Sequence, residues 1–148
     1  MPPVVRIADI AHTIQTAIAP VFLLTGVASI LGVLSNRLGR IIDRARLLED
    51  RLLHATGHDA DVMHEELRIL SRRARLVYRA IALGTTCALL VCIVIATLFG
   101  AALLDMTITK VIGTLFIAAM FALIGALVIF LREVFFATAS LRIGADHR

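Results

Sequence analysis

Apolar positions recur on one beat in two stretches of this chain. Leu34, Leu38, Ile41, Ala45, Leu48 and Leu52 are spaced 4-3-4-3-4, and Met63, Leu67, Leu70, Ala74, Val77 and Ile81 repeat that spacing. With the chain folded back between them, Leu34 faces Ile81, Leu38 faces Val77, Ile41 faces Ala74, Ala45 faces Leu70, Leu48 faces Leu67 and Leu52 faces Met63. The residue numbers of every facing pair add to the same total. That is the register condition for an antiparallel helical hairpin with one apolar seam. Each arm runs directly into a charge-free apolar run.

Three such runs are long enough to cross hydrocarbon as helices. They are uncharged from Thr13 to Asn36, from Ala80 to Leu104 and from Val111 to Leu131. The predicted fold is therefore an all-α integral membrane protein, with three transmembrane helices and a cytoplasmic antiparallel helical hairpin between the first and second. By segment, residues 1–19 read as an outer amphipathic interfacial helix and 20–36 as the first transmembrane helix. Residues 37–79 read as the hairpin, 80–104 and 111–131 as the second and third transmembrane helices, and 132–148 as a cytoplasmic C-terminal tail.

The first segment carries Ile7, Ile10, Ile14 and Ile18 as a stripe at helical spacing, and Pro20 predicts a bend after it. One long helix kinked at Pro20 is the alternative. Residues 105–109 make a short link, so the second and third spans are expected side by side and antiparallel. Ala118, Ala122 and Ala126 on the third span, and Ala28 with Gly32 on the first, have the spacing that lets helices approach closely in lipid. In the hairpin turn Gly57 is suited to end the first arm, and Asp59 or Asp61 to cap the second.

Charge sets the orientation. Ten of the fifteen basic residues lie between Arg37 and Arg79, beside the ends of apolar runs, and Arg132 and Arg142 follow the third run. The opposite side has Arg6 and Lys110. Positive-inside reasoning places the hairpin and C-terminus in the cytoplasm and the N-terminus outside. Seven acids interleave with the basic residues of the hairpin, so the surface is mixed and no nucleic-acid partner is expected. Nothing before Pro20 reads as a cleavable signal, and the N-terminus is expected to be retained.

Composition adds little chemistry. The chain has 148 residues, of which 59% are hydrophobic, no Trp, and two cysteines, Cys87 and Cys92, both in the second span. Those two lie about 140° apart around a helix, so they do not face each other, and they read as small membrane-buried side chains. There is no Gly-rich phosphate loop, nucleophile elbow or HExxH pattern, which points away from an enzyme and from a cofactor. The turn gathers His54, His58 and His64 with acids; these are a weak metal set, and a solvated polar loop is the simpler reading. The first span supplies Gln15, Thr16, Thr25 and Ser29 as candidates for a wet, pore-lining face, and Asp9 and His12 before it are expected to form a ring at the outer mouth of an oligomer. The second and third spans hold no ionisable acid or base, which disfavours proton-coupled transport.

Two further expectations concern surfaces. Arg51 is placed beside Glu66, and Arg44 beside Arg73, a like-charge pair that invites an anion from lipid, another chain or water. Ile42, Leu47, Leu53, Ile69 and Leu76 lie off the seam and are expected to cover a second interface. Arg40, Asp43 and Arg46, each three apart, place one carboxylate between two guanidiniums; with Arg37 they form a membrane-exit joint.

The run from Ile18 to Gly26, followed by Asn36-Arg37-Leu38-Gly39-Arg40-Ile41-Ile42-Asp43-Arg44-Ala45-Arg46-Leu47, resembles a bacterial membrane family catalogued as domain of unknown function 2721. The resemblance covers most of the chain. It implies a small protein of the bacterial inner membrane with three spans, and it implies no activity. Two function classes follow from the residues: a homo-oligomeric pore with a cytoplasmic coiled-coil vestibule, or a non-conducting scaffold whose hairpin docks a cytoplasmic protein. Membrane lipid and a second copy of the chain are the expected partners of either.

Overall fold

The computed structural model describes the backbone of residues 3–54, 56–104 and 109–142, and side chains from 10 to 135 within those ranges. The chain is all-helical there: α1 is Pro3–Leu52, α2 is His58–Leu104 and α3 is Thr109–Arg142. Each contains a stretch long and apolar enough to cross a membrane, and little of each stretch is buried. Phe22, Leu103 and Phe121 stand out among these exposed side chains. Such surfaces are costly in water and neutral against lipid tails, so the chain is a membrane protein.

α1 runs through Pro20 without a break, although Pro20 removes the backbone bond to the Thr16 carbonyl. The continuous-helix alternative therefore describes this segment, and no separate helix ends before Pro20. The Thr16 hydroxyl donates to the His12 carbonyl at 2.9 Å, one of several side-chain bonds that keep the polar groups of α1 within the helix. The link between the second and third spans, residues 105–108, and the C-terminal tail beyond 142 lie outside the described residues.

The connection from α1 to α2 departs from the expected cap. α1 ends at Leu52, five residues before Gly57, so Gly57 does not close it. Gly57 instead precedes α2 with φ +67°, the left-handed region that favours glycine. Its carbonyl accepts from the Ala60 and Asp61 amides at 3.1 and 3.4 Å. Asp59 and Asp61 fall in the first turn of α2, where their charge complements the helix dipole.

By internal contacts the chain divides into two units, Met1–Leu31 with Leu83–Ile124, and Gly32–Ala82 with Gly125–Arg148. The first unit is centred on Val27, Cys87, Val91 and Ala119, one or two residues from each helix, with Leu23, Leu31, Leu90 and Leu123 packed around them. Gly84 belongs here because a Cβ at that position would stand 2.9 Å from a methyl of Leu31. Cys87 is buried within the packed helices and Cys92 is exposed on another face of α2. On α3 the buried alanines are Ala119 and Ala126, whereas Ala118 is exposed and Ala122 half-buried. Ala122 and Ala126 of the predicted stripe thus lie on the packed side of α3, and at the Ala118 end the inward position passes to Ala119, about 100° around the helix.

The second unit holds the two heptad stretches. Leu34, Ile41, Leu48, Leu70 and Val77 are buried, and Leu38, Ala45, Leu52, Met63, Leu67, Ala74 and Ile81 are half-buried. None of the twelve is exposed. Each facing pair from Leu34–Ile81 to Leu48–Leu67 joins one buried residue to one half-buried residue. Contacts between the two helices run in opposite directions along them: Arg44 reaches Glu66, and a pocket nearer the turn is lined by Arg51 and Asp59.

Candidate functional site

The second unit encloses a charged group that its apolar pattern does not announce. Glu133 lies on α3, two residues past the end of the uncharged run at Leu131, and its side chain is 0% exposed. A carboxylate cannot stay there unpaired, because its desolvation costs several kcal/mol. Two guanidiniums meet it from the other two helices. Arg73 on α2 donates from Nε and a terminal nitrogen to Oε1 at 3.3 and 3.0 Å. Arg37 on α1 places Nε 2.8 Å from Oε2. The Arg37 contact lies off the hydrogen-bond line. Oε2 is therefore held by charge and accepts no hydrogen bond among the described residues.

The result is an ionic clasp with one member from each helix. Phe130, three residues before Glu133 on α3, adds its ring to the Arg37 side, with the guanidinium carbon 5.6 Å from the centroid. Both arginines are one-quarter exposed, so their outer edges stay wet while the carboxylate is dry. Removing one member of such a buried group costs about 3–5 kcal/mol, since it strands the others.

Around the clasp Arg37, Arg40, Arg44 and Arg73 line an open cavity of ≈ 410 Å³ with Ile41 and Leu70. Three of these four arginines are already paired. Arg37 and Arg73 hold Glu133, and Arg44 donates from Nε to Glu66 at 3.1 Å. The expected pairing of Arg51 with Glu66 is therefore replaced by Arg44 with Glu66. The like-charge pair Arg44 and Arg73 is resolved by two carboxylates of the same chain. Helical register locates backbones, and an arginine side chain reaches several ångströms beyond its own level.

The other predicted residues disperse. In the membrane-exit joint Arg37 turns to Glu133, while Arg40, Asp43 and Arg46 are exposed and form no ion pair with one another among the described residues. Water solvates these three well enough that the three-residue spacing goes unused. His12, Gln15, Thr16, Thr25 and Ser29 are exposed on α1, and the Asp9 side chain lies outside the described residues. The hydroxyls of Thr25 and Ser29 donate to the Val21 and Thr25 carbonyls at 3.3 and 3.0 Å. His54 and His64 turn their Nδ1 atoms toward the Asp50 and Ala60 carbonyls at 3.3 and 2.8 Å. Among the described residues no three His, Cys, Asp or Glu side chains gather as a metal would need, so His54, His58 and His64 form no such set. Of the off-seam apolar residues, Ile42, Leu47, Leu53 and Ile69 are exposed and Leu76 is half-buried.

Glu133 is the residue that pattern reading passed over. One signal marked it: it is the sole acid between Asp105 and Asp146, and it stands two residues past an apolar run, next to Arg132.

The family described as protein of unknown function (DUF2721) matches residues 17–143, a span that includes all three members of the clasp. No curated protein and no solved structure matches the chain.

Proposed function

Because the chain belongs to the DUF2721 family, whose function is unknown, we propose that it is a homo-oligomeric, non-catalytic scaffold of the bacterial inner membrane. Its two heptad stretches form a cytoplasmic hairpin that packs against the hairpin of a second copy. The hairpin and C-terminus lie inside and the N-terminus outside, as the placement of basic residues favours.

The observation that carries this reading is apolar surface left over where the chain is otherwise charged. Within residues 37–79, Leu47 is 61% exposed, Leu53 81%, Val62 54% and Ile69 51%. These side chains stand among arginines and carboxylates, outside the uncharged runs, so lipid tails do not cover them. Apolar surface of this kind marks contact with another protein surface. The exposed Ala28 and Gly32 of α1 support close approach of a second copy in the membrane.

Size-exclusion chromatography with light scattering in a mild detergent tests the proposal. The wild-type chain is expected as an oligomer, and Leu47→Glu with Ile69→Glu is expected to shift it toward the monomer. A monomeric wild type removes the reading.

One observation favours a conducting assembly instead. Gln15, Thr25 and Ser29 are polar and exposed on the first apolar run. The hydroxyls of Thr25 and Ser29 donate to carbonyls of their own helix, which leaves their oxygens to water only as acceptors. Ion flux into vesicles carrying the wild type, abolished by Thr25→Val with Ser29→Ala, would establish the pore. Vesicles that remain tight favour the scaffold.

A further inference from the structure

A second arginine cavity differs from the clasp in one respect. Arg72, Arg75 and Arg79 of α2 and Arg132 of α3 converge, with Leu76, on an open cavity of ≈ 380 Å³. The three residues on α2 are spaced three and four apart, which places them on one helix face. All four arginines are exposed, and among the described residues none has an ion pair. Among the described residues no carboxylate lines the cavity.

The contrast within one unit is informative. Where Arg37, Arg44 and Arg73 come together, the chain supplies Glu133 and Glu66. Where Arg72, Arg75, Arg79 and Arg132 come together, no acid stands among the described residues. Four like charges around one space repel each other unless an anion enters. Arginines that only anchor a helix end to a membrane surface spread apart in water; these four share a cavity.

We propose that Arg72, Arg75, Arg79 and Arg132 form a binding site for a phosphate ester, with the headgroup of an anionic phospholipid as its natural source. Guanidinium forks match phosphate oxygens two at a time, and several around one space suit a group with more than one acceptor face. Position selects the lipid. Arg79 immediately precedes the uncharged run that starts at Ala80, and Arg132 immediately follows the one that ends at Leu131. Both therefore sit at the edge of hydrocarbon, the depth at which lipid phosphates lie, and basic pockets there bind anionic headgroups. Leu76, half-buried between the arginines, offers apolar contact to the start of an acyl chain.

Native mass spectrometry of the full chain in a neutral detergent tests the site, with phosphatidylglycerol and phosphatidylcholine as probes. Phosphatidylglycerol is expected to bind about tenfold more tightly than phosphatidylcholine. The variant Arg72→Gln, Arg75→Gln, Arg79→Gln and Arg132→Gln is expected to lose that preference. A control with the same loss of charge, Arg40→Gln, Arg46→Gln, Arg51→Gln and Arg68→Gln, is expected to keep it. Equal binding of the two lipids by the wild type overturns the proposal without any variant, and so does an equal loss in the control. Inorganic pyrophosphate separates the sources: displacement of the lipid supports the same site with a soluble phosphate as ligand, and retention supports the headgroup.

Discussion

Arg132 and Glu133 are consecutive residues on α3 with opposite surroundings. Glu133 is buried between Arg37 and Arg73, and Arg132 is exposed beside Arg72, Arg75 and Arg79. A step of about 100° around the helix separates the two positions. α3 thus brings an acid to one group of arginines and a further base to another.

Replacing Glu133 should hurt far more than replacing Glu66. Glu133→Ala is expected to destabilise the protein by about 3–5 kcal/mol, because Arg37 and Arg73 lose their partner in a dry site. Glu66→Ala, which breaks an exposed pair, is expected to cost at most about 1 kcal/mol. Thermal unfolding in detergent, followed by circular dichroism, measures both. Equal shifts for the two variants would show that the clasp contributes no more than a surface pair.

Neighbouring isoleucines make a cleaner comparison for the seam. Ile41 is 6% exposed and Ile42 39%. Ile41→Ala is expected to cost about 2–4 kcal/mol through lost burial and the cavity left behind. Ile42→Ala is expected to cost less than about 1 kcal/mol. Reversal of that order would place the wrong face of the helix inward.

Gly57 provides a backbone test. A Cβ there would touch nothing within 4 Å, so any penalty comes from its φ of +67° and not from crowding. Gly57→Ala is expected to cost about 1–2 kcal/mol, and Gly57→Asn less, since asparagine tolerates the left-handed region. Should the alanine variant match the wild type in stability, the turn does not depend on that conformation.

The two cysteines should differ in reactivity. In detergent micelles a small apolar thiol reagent is expected to modify Cys92, which is exposed, well before Cys87, which is buried. Cys92→Ser should remove the fast phase, as read by intact-mass spectrometry. A fast phase that persists in that variant would put Cys87 at the surface.

Much of this fold was legible because helices have a fixed period. Uncharged runs of more than twenty residues identify α1, α2 and α3 as membrane helices without reference to any contact. The 4-3 spacing likewise picks out positions that prove buried or half-buried, from Leu34 to Ile81. Errors began where one residue or one long side chain decides the outcome. Ala118 and Ala119 differ by a single step, and only packing chooses between them. Arg44 bypasses its own level to reach Glu66, which no backbone register foretells. Glu133 was the largest omission, because its partners are 60 and 96 residues away and no local pattern links them. Pattern reading weighs an isolated acid as a minor interruption; three-dimensional pairing makes it the centre of the site.

The clasp also bears on how the polypeptide is made. Translation delivers Arg37 first, Arg73 second and Glu133 last. Without the third helix, Arg37 and Arg73 lack the carboxylate that joins them in the finished fold, and two like charges brought to one level repel. Arrival of the final carboxylate turns a repulsion into a latch. A chain truncated after Leu131 and released is accordingly expected to be digested by protease more readily across residues 37–79 than the full chain.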